Sequence, residues 1–305
     1  MVKTGVPQGS LLGPLLFNLY INDVNYSISN ISIRLYADDT TGYASDVSPL
    51  VLQYRINSDL NILSSWFKDN YLRVNTVKTQ AMPIGPTQYD YDFMLDGTDI
   101  ELTDTVKILG VILDRKLTYK QHIVEQLRKA CAKASALRQL RKFIPQDIMV
   151  RLYKAYILPH LEYCVLLLLG IGKVLSQKKE DTNYYILRTM LGLSKQTTQY
   201  EGALKLANMK SLAIRRNYQS LILLYKCLNK QGPMYISNLF NVKTVKYNLR
   251  GPRLEQPSFN LEWFHKSFSY ITSQLWNSLP VKTRECVNLD SFKRALGRDN
   301  CKKHI

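Results

Sequence analysis

A chain of 305 residues with 46% hydrophobic and 21% charged content has the composition of a globular protein, which excludes a disordered chain. The net charge is +17 and it is unevenly placed. Residues 1–100 hold 6 Lys+Arg against 10 Asp+Glu, and residues 101–305 hold 35 against 14. Such a balance points to an anionic partner, with an N-terminal part built around cations or a neutral core and a basic remainder facing phosphates.

Five cysteines, Cys131, Cys164, Cys227, Cys286 and Cys301, lie far apart with no CxxC pair, so neither a disulfide framework nor a zinc ribbon is expected. Cys301 with His304 offers two metal ligands at best. The longest apolar run, Cys164 to Leu169, is far short of the roughly 20 residues that span a bilayer. No charged-then-apolar leader opens the sequence, and the expectation is a soluble, intracellular protein of nucleus or cytoplasm with no membrane contact and no obligate protein partner.

In chain order, Gly5-Val6-Pro7-Gln8-Gly9-Ser10 reads as a turn that leads into a helix. Leu11, Leu12, Leu15, Leu16 and Leu19 then recur at helical spacing, which predicts a helix over Ser10 to Asn22 with Ser10 near its N-cap. Two strand-like runs, Ile31 to Leu35 and Thr40 to Ala44, flank Tyr36-Ala37-Asp38-Asp39 and predict a hairpin. Leu52, Ile56, Leu60, Leu63, Trp66 and Phe67 mark a long helix from about Pro49 to Asn70. Short strands are expected at Thr79 to Ile84, Tyr91 to Leu95 and Val106 to Leu113, with Asp96-Gly97 as a turn signal.

The texture changes after Asp114. Ile123, Leu127, Ala130, Ala134 and Leu137 keep one apolar seam from Thr118 to Phe143, and Arg128, Lys129 and Lys133 lie off it. Between Arg115 and Lys142 stand nine basic residues and a single acid, Glu125. A second helix is expected from Gln146 through Leu152 and Tyr156, disturbed by Pro159. Further helices are expected over Asn183 to Leu193, Leu212 to Asn229, His265 to Asn277 and Leu289 to Leu296. The fold class is therefore α+β: helix, hairpin, helix and antiparallel strands, followed by an all-α remainder.

Two adjacent carboxylates at a hairpin tip are ordinary turn residues when they stand alone. Asp38 and Asp39 do not stand alone, because the Gly5–Ser10 loop precedes them by about thirty residues. Transfer of a nucleotide to a 3′-hydroxyl calls for divalent cations held by carboxylates, roughly 4 Å apart, and Mg²⁺ favours oxygen ligands on a rigid support.

In this order the motifs resemble the reverse transcriptases of non-LTR (LINE-type) retrotransposons. The loop Gly5 to Ser10, the helix Leu11 to Val24 and the turn Tyr36-Ala37-Asp38-Asp39 carry the resemblance. Asn70 to Asn75 leading to Lys78-Thr79, and Ile108-Leu109-Gly110-Val111, extend it. Leu275-Trp276-Asn277-Ser278-Leu279-Pro280 and Ser291-Phe292-Lys293 look like the tail of jockey-like elements. The resemblance implies an RNA-directed DNA polymerase that uses Mg²⁺, an RNA template, a DNA primer and deoxynucleoside triphosphates. By this resemblance Asp38 would ligate both cations and Asp39 would support the site or bind metal. Lys78 would sit near the leaving pyrophosphate. Gly5, Pro7, Gln8, Gly9, Tyr36 and Ala37 would meet nucleotide and template, and Leu109 and Gly110 would form a primer grip. Arg128, Lys129 and Lys133 are expected to contact nucleic-acid backbone.

Residues 1–114 would then be a partial polymerase palm, 115–175 a helical thumb-like region and 176–305 a helical C-terminal region. In that family a further aspartate, on a palm strand upstream of the glycine loop, completes the two-metal site. With Met1 four residues before Gly5, the expectation is the C-terminal part of a polymerase that is catalytically incomplete by itself. The alternative expectation is a non-catalytic, basic nucleic-acid-binding remnant of such an element.

Overall fold

A computed structural model describes residues 9–85, 89–243, 252–256 and 262–298. The chain divides into two compact units, Met1–Leu117 and Thr118–Ile305.

The first unit is mixed α and β. A helix spans Gly13–Ile21, shorter than the sequence predicts, because Ser10 Oγ accepts from the Gly13 N–H at 3.0 Å and leaves Leu11 and Leu12 ahead of the first turn. The regularly spaced leucines do not form a core face here. Leu11, Leu12, Leu15, Leu16 and Leu19 are 50–98% exposed, and from this helix only Gly13 and Ile21 are buried. Ile21, Val24, Ile33 and Leu63 form a small core, with Leu60, Trp66 and Phe67 of the long helix Pro49–Asp69 packed against it. A second small core gathers Phe93, Leu95 and Ile100.

The strands form four two-stranded ladders among the described residues, not one antiparallel sheet. Ser32–Tyr36 pairs with Asp39–Tyr43, Met94–Leu95 with Thr98–Asp99, and Thr105–Ile108 with Val111–Asp114, all antiparallel. Gln80–Ala81 pairs with Glu101–Leu102 in parallel. The strand expected over Thr79 to Ile84 stops after Ala81, close to Pro83, which has no N–H to give a ladder. The Asp96-Gly97 and Leu109-Gly110 turns both place two successive residues at positive φ (54° and 74°, 47° and 82°), the backbone that right-twisted two-residue hairpins require.

The second unit is helical. Lys120–Arg138 carries the expected seam, and Ile123, Leu127, Ala130 and Ala134 are 0–5% exposed. They join Met149, Tyr153, Ile157, Ile186, Leu187 and Met190 in one core of seventeen buried residues. The helix beginning at Gln146 passes into a π turn, Tyr153–Ile157, before Leu158–Leu161; Pro159 has no N–H to continue the ladder and clashes with the preceding turn. Lys173–Leu191 starts ten residues before the expected Asn183, and position 175 lies inside it, with Leu175 against the same core. Leu212–Leu228 runs from this core into a second one around Trp276, Tyr225 and Phe292. The helix expected over His265 to Asn277 is broken into Glu262–His265 and Phe268–Ser278, the latter capped by Ser267 Oγ on the Tyr270 N–H. Short helices at Tyr200–Leu206, Met234–Ser237 and Val281–Arg284 had no clear sequence signal.

Polar groups tie the second unit together. Glu180 accepts from the Leu212 and Ala213 N–H groups at the start of Leu212–Leu228, where a carboxylate meets unsatisfied donors and the positive helix end, and it also accepts from the Tyr200 hydroxyl. Arg215 makes a two-pronged pair with Glu162. No described helix is long and apolar enough to cross a membrane, and Cys131, Cys164, Cys227 and Cys286 are free thiols.

Candidate functional site

The hairpin register places the two aspartates. Tyr36 pairs with Asp39 as the last rung, so Ala37 and Asp38 make the turn and Asp39 opens the returning strand. Ala37 sits at φ 52°, left-handed backbone that an alanine adopts only at some cost. Side chains alternate across the ladder. Ile33 turns inward, while Tyr36 and Asp39 share the face with Arg34. Arg34 lies over the Tyr43 ring at 5.5 Å and donates to its hydroxyl at 3.1 Å, which stiffens that face. Gly42 is required by closeness, since a Cβ there would stand 2.9 Å from Ile31 Cγ2.

The base of the hairpin is held by a residue that sequence reasoning did not single out. Asp59, on the long helix, is fully buried and accepts from the Asn30 and Ile31 N–H groups, both at 2.7 Å, and from Asn30 Nδ2 at 2.8 Å. Burial would raise its pKa, but the hydrogen bonds from Asn30 and Ile31 outweigh burial and hold it below the ordinary carboxylate value. Arg55 continues the chain by donating to Asn30 Oδ1 at 3.2 Å and pairing with Asp46 at 2.9 Å. The only sequence signal for this network is a charged residue one position before Leu60 on an otherwise apolar-periodic helix.

Asp38 and Asp39 are exposed, and neither carboxylate has a hydrogen-bond or ion-pair partner among the described residues. Two unpartnered carboxylates on a rigid tip are a hard-oxygen donor set suited to a divalent cation. No group of three or more His, Cys, Asp or Glu that could hold a metal ion occurs among the described residues.

Of the other expected site residues, Gly5, Pro7 and Gln8 lie outside the described residues, as do Cys301 and His304. Gly9 is described, at φ 82°. Tyr36 is 67% exposed beside the aspartates. Lys78 is exposed and ends a single 3₁₀ turn, Thr76–Lys78, capped by Asn75. Nothing among the described interactions joins Lys78 to Asp38 or Asp39. Leu109 and Gly110 form the tip of their own hairpin, and Leu109 is 48% exposed. Arg128 and Lys129 both pair with Glu125, at 2.9 and 3.6 Å, and the two cations hold the Glu125 carboxyl near a pKa of about 2; Lys133 is exposed. Those two cations are therefore already partly neutralised along their own helix.

The family model described as reverse transcriptase (RNA-dependent DNA polymerase) matches residues 1–113, and this span contains the Asp38–Asp39 hairpin, the Asn75–Lys78 turn and the Leu109–Gly110 tip. Residues 1–113 are thus similar to reverse transcriptases. The chain is 29% identical over 173 residues to an RNA-directed DNA polymerase from mobile element jockey of Drosophila melanogaster, covering 53% of this chain and 19% of that protein. It is 26% identical over 175 residues to the jockey polymerase of Drosophila funebris, covering 54% and 19%. It is 28% identical over 156 residues to a probable RNA-directed DNA polymerase from transposon BS of Drosophila melanogaster, covering 46% and 17%. These relatives are polymerases of mobile elements, and the matched part spans about one-fifth of their length. No solved structure matches.

Proposed function

We propose that residues 1–113 serve RNA-directed DNA synthesis, with Asp38 and Asp39 as ligands of catalytic divalent cations. One observation carries this reading: two adjacent, exposed and unpartnered carboxylates crown a hairpin braced by Asp59 and Arg34, inside the span that matches reverse transcriptases. The donors fit Mg²⁺. When bound, the ion activates the attacking 3′-oxygen and offsets charge on the leaving phosphate. This chain's own contribution is placement. Asp38 projects from the turn and Asp39 from the adjoining last rung, so both carboxylates stand at the same end of the hairpin.

In the same reading Lys78 would offset charge on the leaving pyrophosphate. The Gly5–Gly9 loop, Tyr36 and Ala37 would meet nucleotide and template, and the Leu109–Gly110 tip would steady the primer. Residues 1–114 would then act as polymerase palm, 115–175 as thumb and 176–305 as a helical extension. Nucleotide transfer of this kind uses two cations roughly 4 Å apart, which carboxylates must bridge and flank, and one adjacent pair on a single hairpin serves one ion more readily than two. With Asp38 and Asp39 as the whole carboxylate set, the purified chain is expected to extend no primer.

Manganese titration followed by NMR tests the ligand assignment. Paramagnetic broadening should centre on residues 36–40 and vanish in Asp38→Ala. Broadening elsewhere, or none, would overturn it. A primer-extension assay tests the second point, and incorporation that Asp38→Ala abolishes would show the pair to be sufficient. The alternative, a basic nucleic-acid-binding remnant without catalysis, draws on the 35 Lys+Arg against 14 Asp+Glu in residues 101–305. It calls for nucleic-acid binding with no cation at the hairpin.

A further inference from the structure

Four basic residues of the second unit converge at one place that no motif marks. Lys120–Arg138 runs into a 3₁₀ turn, Gln139–Lys142, and Lys173–Leu191 ends at Gly192 with φ 70°. Between these ends lies a concave groove of about 550 Å³, lined by Arg138, Arg141, Lys142 and Arg188 with Gly192 and Ser194. No carboxylate lines it, and none of the four cations makes an ion pair with a described residue. We propose that this groove binds the phosphodiester backbone of a nucleic acid.

Three observations carry the assignment. Helix C-termini favour cations, and this accounts for a basic residue or two in the closing turns. It does not account for four around one hollow with no acid among them; such a set repels itself until an anion enters.

The groove is also built, not merely charged. Arg141 Nη1 donates to the Thr189 carbonyl at 3.2 Å, and the guanidinium lies flat against Gly192, where a Cβ would stand 3.0 Å from Nη1 and 3.1 Å from Cζ. Glycine at 192 therefore serves both the left-handed helix end and the seat of Arg141. A clamped guanidinium keeps further N–H donors free for phosphate oxygens at little ordering cost.

The third observation is a contrast with other cations of these helices. Arg128 and Lys129 share Glu125, and Arg151 pairs with Asp147. Among the described residues Lys120, Lys133, Lys173 and Lys178 are unpaired but do not line the hollow, whereas Arg138, Arg141, Lys142 and Arg188 are both unpaired and gathered around it. A backbone polymer is favoured over a free anion because the cations line both banks of an open groove and do not enclose a single point. Phosphate contacts carry no base information, so binding should tolerate any sequence.

The choice of a nucleic acid as the polyanion rests on the polymerase reading. Binding is measured in EDTA on the whole chain, which keeps the test independent of any cation at Asp38 and Asp39. Fluorescence anisotropy with a mixed-sequence DNA duplex is followed across a KCl series. Arg138→Ala with Lys142→Ala should weaken binding and lower the slope of log K against log salt by about 0.9 for each phosphate no longer neutralised, or about 1.8 in all. Arg151→Ala, at a cation paired with Asp147 and away from the groove, should leave the slope unchanged. Arg138, Lys142 and Arg151 are exposed, so circular dichroism of each variant should show an unchanged fold. A slope unchanged in the first variant, or lowered only in the second, overturns the groove. Competition distinguishes the sources of phosphate: oligonucleotides should displace the probe far better than inorganic phosphate or a nucleoside triphosphate at equal phosphate concentration. Equal displacement would mean a small-anion site and overturn the backbone assignment.

Discussion

The two units treat the same sequence signal in opposite ways. Ile123, Leu127, Ala130 and Ala134 recur at helical spacing and are buried against the helices Gln146–Leu152 and Lys173–Leu191, in a core of seventeen residues. Leu12, Leu15, Leu16 and Leu19 recur with comparable regularity and stand 50–67% exposed, while the cores of that unit contain four and three buried residues. Periodicity fixes which residues share a face; it does not supply the surface that covers them. In the second unit the covering helices are close in sequence. In the first, no described element of the unit covers the leucine face.

The comparison breaks most readily in the helical unit. Trp276 is 2% exposed, packs near Phe292 at 5.8 Å and donates Nε1–H to the Pro252 carbonyl at 3.1 Å. Trp276→Ala should cost about 3–5 kcal/mol in denaturant unfolding of the second unit. Hydrogen exchange should loosen across Leu212–Leu228 and Leu289–Arg298 and leave residues 32–43 unchanged. A cost below about 1 kcal/mol would mean that this core is not tightly packed.

In the first unit the largest effect should come from a polar group, since apolar burial there is thin. Asp59→Ala leaves the Asn30 and Ile31 N–H groups without their acceptor and should cost about 1–3 kcal/mol. The folded pKa of Asp59 lies below the unfolded value near 3.8, so its contribution is present above that pH and is lost as pH falls through the folded value. Exchange at residues 31–43 should therefore quicken on acidification in the wild type, and the acid dependence should be weaker in Asp59→Ala. An unchanged acid profile would remove Asp59 as the brace of the hairpin.

The second unit shows the same sign in an alkaline window and from the opposite cause, a destabilised charge instead of a stabilised one. Lys179 is 4% exposed, and burial, with Arg216 nearby, pushes its pKa down to about 8, against the attraction of Glu180 and Glu162. Folding then releases a proton between pH 8 and the unfolded value near 10.5, so stability attributable to Lys179 rises with pH through that window. Lys179→Met should flatten the rise by at most about 1.4 kcal/mol per pH unit, read from urea midpoints at a series of pH values. Equal slopes in both proteins would place the ammonium in contact with water.

Much of this was legible beforehand, and the gaps have physical causes. Local rules wrote the Asp96-Gly97 turn, the Pro49–Asp69 helix and the seam of Lys120–Arg138, because each depends on neighbours within a few residues. The tip bearing Asp38 and Asp39 was legible for the same reason. The start of Lys173–Leu191 was hidden because Ser176 to Thr182 is polar at every position, and its inward faces are the buried Lys179 and Asn183. The Asp59 network and the groove of Arg141 and Arg188 join residues 28 to 48 positions apart, and no pattern in one sequence pairs them.

The smallest expected effect is the sharpest test of the contrast between the units. Leu15 and Leu19 are 56% and 67% exposed, so Leu15→Asp and Leu19→Asp remove little buried area and strand no polar group. Each should change the stability of the first unit by no more than about 0.5 kcal/mol. Ile123→Asp, at the matching place in the buried seam, would bury a carboxylate without a partner and should unfold the second unit outright. The acidic leucine variants should also reduce self-association, since an exposed apolar face of this kind is adhesive. Destabilisation of more than about 1.5 kcal/mol by Leu15→Asp would show that the face is covered in solution. Helical spacing would then mean the same thing in both units.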